Sequence, residues 1–251
     1  MQPPMPISDQ PHDPAAAAHP LDNATWAALS GPHRHLAEVV GMAARYRADV
    51  APFVALADPA DPQAWADAAK LIGPGGGFTL AGVFPPPDGW AAREPLPGVQ
   101  MVATAALQDL EDSEVRRLGP ADVPEMLDLV ARTRPGPFLP RTVEMGAYYG
   151  VRDGGDGGRL VAMAGERIRL PGWTEISAVC TDEGYRGRGL AGRLVRHVAT
   201  GVRARGATPF LHAAAVNTGA IRLYEALGFT LRRTTLFQGL RVPGTAQAGL
   251  G

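Results

Sequence analysis

The sequence predicts a mixed α/β fold. Apolar residues recur at helical spacing in several segments, and strand-like runs alternate with those segments. Strong turn signals separate the two kinds of run, notably Pro171-Gly172 and the glycine-rich stretch 153–158. A chain of 251 residues buries a substantial core as one large domain or two small ones.

From the N-terminus, residues 1–20 carry six prolines and a run of alanines, with neither a basic start nor an apolar stretch. They read as a disordered tail and not as a signal peptide. Residues 21–110 read as an α/β domain, with a helix over 64–72 and strands over 78–83 and 99–104. The proline-rich connection 84–98 joins those two strands. The acidic run 109–114 marks the boundary to a second domain, 111–240. That domain opens with a strand over 114–118 and a helix whose Val123, Met126, Leu127 and Val130 follow helical spacing. Strands over 147–152, 160–170 and 173–181 come next, with a short helix near 141–145 before them. A helix over 190–204, a strand over 209–214, a helix over 218–227 and a strand over 229–237 complete it. Residues 241–251 read as a flexible tail.

Composition excludes several function classes. The formal net charge of -1 gives no reason to expect nucleic acid or an anionic membrane as partner. No apolar run approaches the roughly 18 residues of a membrane span, so a cytoplasmic protein is expected. Cys180 is the only cysteine, which rules out an intramolecular disulfide and a cysteine-based zinc site. His12, His19, His33 and His35 have no carboxylate at ligand spacing, and no metal is expected there. The average charge hides an asymmetry. Residues 1–111 hold 5 basic and 12 acidic side chains, net -7, whereas residues 112–251 hold 19 and 13, net +6. A phosphate-bearing ligand is therefore sought in the second half.

There a strand runs into a glycine-rich loop and then into an amphipathic helix. Glycines let backbone N–H groups approach an anion, and the helix N-terminus adds partial positive charge. Gly187, Gly189 and Gly192 match the dinucleotide pattern GxGxxG, but that reading needs an acidic residue about 20 positions on. No Asp or Glu occurs between Glu183 and Glu225. The dinucleotide reading fails on that point.

The same residues fit another pattern. Arg186-x-x-Gly189-x-Ala191 resembles the [Arg/Gln]-x-x-Gly-x-[Gly/Ala] signature of the GNAT superfamily of acyl-CoA-dependent N-acyltransferases. A second block, Asn217-x-x-Ala220-x-x-x-Tyr224-x-x-x-Gly228-Phe229, resembles that family's other signature. The two blocks stand in the family's order, with Asn217 placed 31 positions after Arg186. The resemblance covers about residues 114–238 and implies the GNAT fold, a mixed and mostly antiparallel sheet flanked by helices. Tandem copies occur in the family, so the N-terminal half is compatible with a degenerate second copy that serves as scaffold or acceptor-site wall.

The resemblance also implies roles. Acetyl-CoA is the expected cosubstrate, with its pyrophosphate on the amides of Gly187, Arg188, Gly189, Leu190 and Ala191 and with Arg186 at the motif's first position. A bulge over Ala178, Val179 and Cys180 frees backbone groups for the pantetheine arm. Arg188 reaches a phosphate or is merely solvated. Asn217 suits a helix N-cap, and the family adds a cofactor contact. Tyr224 is the family's general acid, or else a core aromatic. Cys180 is read as a small strand residue and not as an acyl carrier, because the family transfers directly. His197 and His212 are read as structural.

An amine of pKa about 10.4 is neutral only about once in 2,500 molecules at pH 7, a cost of roughly 4.6 kcal/mol. A base or water relay is therefore sought. Glu175 stands where some family members carry a catalytic glutamate, with Glu166 or a water chain in reserve. The expected activity is N-acetylation of a small-molecule or peptide amine. The alternative is a non-catalytic acyl-CoA-binding regulatory module. A homodimer and a monomer are both open.

Overall fold

The computed structural model describes residues 19–82, 84–155 and 157–244. Its first half runs through α1 (Ala24–Ser30), β1 (Ala37–Val40), β2 (Ala43–Tyr46), β3 (Phe53–Leu56), α2 (Pro62–Ile72), β4 (Gly77–Ala81), β5 (Ala91–Ala92) and β6 (Leu96–Ala103). Its second half runs through β7 (Arg116–Leu118), α3 (Val123–Thr133), β8 (Tyr148–Arg152), β9 (Leu160–Leu170), β10 (Trp173–Thr181), α4 (Leu190–Ala204), β11 (Thr208–Ala214), α5 (Thr218–Leu227) and β12 (Phe229–Arg241).

All these strands join one sheet, in the order β1-β2-β3-β4-β12-β6-β11-β10-β9-β8-β7, with β5 added beside β12. The order reads nearly the same from either end. β3 and β4 are parallel, as are β10 and β11, and the pairs along the main path are otherwise antiparallel. At the middle each half lends its last strand to the other. β6 lies against β11, and β12 lies against β4. The register Leu96↔Phe237, Pro97↔Leu236 and Gly98↔Thr235 places a local two-fold through the Pro97–Leu236 pair. The first half thus repeats the strand path of the second, as a degenerate copy would.

The boundary expected near residue 111 is consequently no break in the sheet. The acidic run 109–114 that spans it is tied to α4. Asp112 bonds Arg193 on α4 at 2.6 Å, and Asp109 pairs with Arg203 at 3.1 Å. The hydrogen bond from Arg193 holds the Asp112 carboxyl down at about 2. The C-terminal boundary moves as well, because β12 runs to Arg241 and Val242 is buried. The tail expectations lie outside the described residues for 1–18 and 245–251. His19 is described, and its ring stacks edge-on against Trp173.

Apolar periodicity decides how the helices seat. Leu194, Val195, Val198 and Val202 of α4 are fully shielded, packed with Val161, Ile176 and Leu211 of the sheet. Each such side chain contributes about 1.5–3 kcal/mol of burial. Met126 and Leu129 of α3 join a separate cluster with Leu118, Tyr148, Met163, Ala178 and Cys180. In the first half, Ala64, Trp65 and Ala68 of α2 pack on Val54, Leu56, Phe78 and Leu80. The sheet's middle therefore has apolar cover, and its two parallel pairs point their ends at helix N-termini.

Candidate active site

β10 and β11 are paired only from Trp173↔Thr208 to Ile176↔Leu211. Beyond Ile176 the strands part, because β10 carries a bulge between Ser177 and Cys180 in its register against β9. Ala178 sits within it at φ +53°, a left-handed conformation that L-residues seldom adopt. The parting opens a cleft of about 990 Å³. Ala178, Val179 and Cys180 line it on one side, and His212, Ala213 and Ala214 line it on the other.

At the cleft's mouth β10 ends in a turn capped by Asp182, whose carboxylate accepts from the Gly184 N–H at 3.2 Å. Gly187 and Gly189 follow at φ +76° and +75°, which only glycine adopts without strain. A Cβ at either position would meet no atom within 4 Å, so the space above the backbone is open. Gly189 stands at the N-cap of α4 and offers no side-chain acceptor to the helix. The first-turn amides of a helix have no intrahelical partner, so this end is left facing the cleft with its donors free. Arg186, Gly187, Gly189, Leu190 and Ala191 all line the cleft. Arg188 is absent from that lining. Its guanidinium stacks 4.7 Å from the Tyr185 ring centre and bonds the Gly184 carbonyl, on the solvent side of the expected alternatives.

α5 supplies two more lining residues. Asn217 caps it, its side-chain oxygen accepting from the Ala220 N–H at 3.2 Å. Tyr224 lies about two turns on, 7% exposed, with its ring edge-on to Phe229. Burial, with the Cys180 thiol nearby, pushes the Tyr224 hydroxyl up to about 12. Cys180 is itself pushed up to about 11, again by burial. Both groups hold their protons at neutral pH.

Glu175 differs from its expectation as a proton acceptor facing the acceptor. It is fully shielded, and both its oxygens are engaged. Arg167 bonds it bidentately, Nε to Oε2 at 2.9 Å and Nη2 to Oε1 at 2.7 Å, while His212 Nδ1 lies 2.7 Å from Oε1. Burial alone would raise this carboxyl, but the Arg167 charge and the two partners' hydrogen bonds outweigh it and hold it well below the usual range. A carboxylate so held is a poor proton acceptor. Glu166, the reserve, bonds Arg205 at 2.6 Å and also lies outside the cleft lining.

His212 is part of the same network. Gln100 from β6 lies with its amide nitrogen 3.0 Å from the Leu21 carbonyl and 3.1 Å from His212 Nε2, while its oxygen accepts from Arg232. Gln100 thereby donates to Nε2, which leaves the imidazole proton on Nδ1 to donate to Glu175. Arg167 was not anticipated. The Pro171-Gly172 hairpin held the signal, because its register brings Arg167 beside Glu175 across the β9–β10 pair. The far wall of the cleft was missed too. Leu96 and Phe237 belong to the exchanged strands β6 and β12, and Phe53 and Thr79 to β3 and β4 beyond them, a juxtaposition that no local pattern announces.

Comparison with known proteins agrees with this geometry. The family model described as FR47-like protein matches residues 148–238. A GNAT-family acetyltransferase structure from Novosphingobium aromaticivorans is 41% identical, with 91% of this chain and 100% of that chain covered and a TM-score of 0.80. A GCN5-related N-acetyltransferase from Kribbella flavida shares the fold at 21% identity, covering 90% of this chain and 97% of its own, with a TM-score of 0.56. A Drosophila protein shares it at 19% identity over 81% and 74%, with a TM-score of 0.60. No curated protein matches. Among the described residues no helix is long and apolar enough to cross a membrane. With the splayed strands, the open glycine loop and a relative at 41% identity along its whole length, the chain belongs to the GNAT acetyltransferase family.

Proposed function

We propose that the protein is an N-acetyltransferase that moves the acetyl group of acetyl-CoA directly to an amine. One observation supports this above the others: the helix N-terminus left open at Gly189 and the buried Tyr224 hydroxyl border one cleft. The residues fit the cosubstrate. The loop amides from Gly187 to Ala191 would hold its pyrophosphate, and the bulged backbone over Ala178, Val179 and Cys180 would pair with its pantetheine arm. When bound, acetyl-CoA supplies an acyl thioester open to attack by an amine.

Tyr224 is the proton donor for the departing thiolate, since its hydroxyl stays protonated and lines the same cleft. Cys180 keeps its thiol proton at neutral pH, which favours direct transfer over an acyl-cysteine. We assign the amine's proton to water in the cleft and make Glu175 a positioning residue that orients Arg167 and His212. The first half of the chain serves as acceptor-side wall through Phe53, Thr79 and Leu96.

The test is release of CoA thiol from acetyl-CoA against a panel of amines. Amine-dependent release is expected. Tight acetyl-CoA binding with no release for any amine would return the chain to a non-catalytic acyl-CoA-binding module.

A further inference from the structure

The cleft does not end at Tyr224. Its lining also takes in Phe53, Leu96 and Phe237 with Arg167, Arg93, Glu94 and Thr79. Arg167 is the feature that needs an explanation. Its side chain is 12% exposed and lies on a lining surface, not inside the core. A guanidinium has five N–H donors, and Glu175 takes two of them, one from Nε and one from Nη2. Three are left without a protein acceptor among the described residues. The fork cannot swing away to find water, because Glu175 fixes one edge and the ring of Phe53 lies 5.0 Å from its centre. His212 and Gln100 in turn fix Glu175. The remaining edge is thus a rigid pair of donors on the cleft lining, the arrangement that matches a planar two-oxygen anion.

Arg93 adds charge where Arg167 adds shape. Its backbone is tied to β12 by its N–H to the Gly239 carbonyl, while its guanidinium makes no ion pair among the described residues. Glu175 already neutralises Arg167, so Arg93 is the cation available to an incoming anion, with the Glu94 carboxylate beside it on the same lining.

We infer that the acceptor is an amine that also carries a carboxylate, bound by the free edge of Arg167 with Arg93 closing over it and with Phe53, Leu96 and Phe237 around its apolar body. This rests on the acetyltransferase reading above and narrows its acceptor to amino-acid-like compounds.

The experiment measures kcat/KM for wild-type protein with acetyl-CoA and matched acceptors, a set of apolar amino acids against the same compounds lacking the carboxylate, such as L-phenylalanine against phenethylamine. The carboxylate should raise kcat/KM by about 10- to 100-fold, the scale of a hydrogen bond to a charged group. Arg167→Lys keeps the charge and loses the fork, and the ratio between the two acceptors should shrink to within about 3-fold. If that variant fails to fold, Arg93→Ala serves, and the KM for the amino acid should rise several-fold with little change for phenethylamine. Equal kcat/KM for both acceptor classes in the wild type would overturn the inference and leave the acetyltransferase reading standing. Absence of CoA release with every amine in this set, with release from another amine of the wider panel, would overturn the inference alone; absence across the whole panel would overturn both.

Discussion

The two halves of the sheet each contain a parallel strand pair joined by a helix, α2 between β3 and β4 and α4 between β10 and β11. Their helix N-termini are finished in opposite ways. At α2, Asp61 accepts from the Gln63 N–H at 2.8 Å, Pro62 occupies the first turn, and Trp65 Nε1 ties the loop by bonding the Pro59 carbonyl. That end satisfies itself and places a negative charge where an anion would sit. At α4 the capping residue is Gly189, which brings no acceptor, and the loop before it runs over open space. One helix end is closed on itself, and the other is left open where the proposed cosubstrate would sit. The same contrast separates the connections that follow. Between β4 and β6 the chain makes a proline-rich connection holding only the two-residue β5, whereas between β11 and β12 it makes α5 with Tyr224. Repetition of the strand path therefore supplies a frame, and a few residues at the strand ends decide which half carries a site.

The largest expected effect comes from making α4 resemble α2. Gly189→Asp places a carboxylate at the open helix end, and like-charge contact should weaken acetyl-CoA binding by about 100-fold or more. The left-handed backbone adds roughly 1–2 kcal/mol of strain, so the domain should stay folded. Calorimetry on the folded variant checks this, and unchanged affinity would remove the loop from the site. Removing what α5 adds comes next. Tyr224→Phe should lower kcat by about 10- to 1,000-fold with acetyl-CoA affinity kept. An unchanged kcat, with chemistry rate-limiting, makes Tyr224 a core aromatic.

Glu175→Gln leaves the Arg167 charge without its partner and should cost about 3–5 kcal/mol at neutral pH. The sign follows from linkage. The folded carboxyl lies below its ordinary value of 4.5, so its stabilisation is complete above that pH and fades as the pH falls beneath it. Denaturant titrations of both proteins at neutral and acid pH should thus converge on the acid side. A constant difference would contradict the assignment. The smallest effect belongs to the closed end. Asp61→Ala should destabilise the fold by about 1 kcal/mol and leave acetyl-CoA affinity unchanged.

The second half was the more legible in sequence, for physical reasons. The limits 160–170, 173–181, 190–204 and 218–227 coincide with β9, β10, α4 and α5, because long apolar patterns bounded by Pro171-Gly172, Gly189, Asn217 and Gly228 leave little freedom. In the first half, β1, β2 and β3 have four residues each, too short for a period to declare itself. The exchange of β6 and β12 pairs residues such as Val102 and Phe210, which no local pattern links. Glu175 is a candidate base on its strand position alone, but its partners Arg167 and His212 are contributed by the two neighbouring strands. Its strand position alone therefore reads as a base, whereas its pairing makes it an anchor.

The contrast between the two helix ends is tested most directly by amide hydrogen exchange with and without acetyl-CoA. The account predicts slowed exchange from Gly187 to the first turn of α4 and over Ala178, Val179 and Cys180, with no change in the first turn of α2 around Gln63. Protection at the α2 turn, or none at the α4 turn with acetyl-CoA bound, would contradict it.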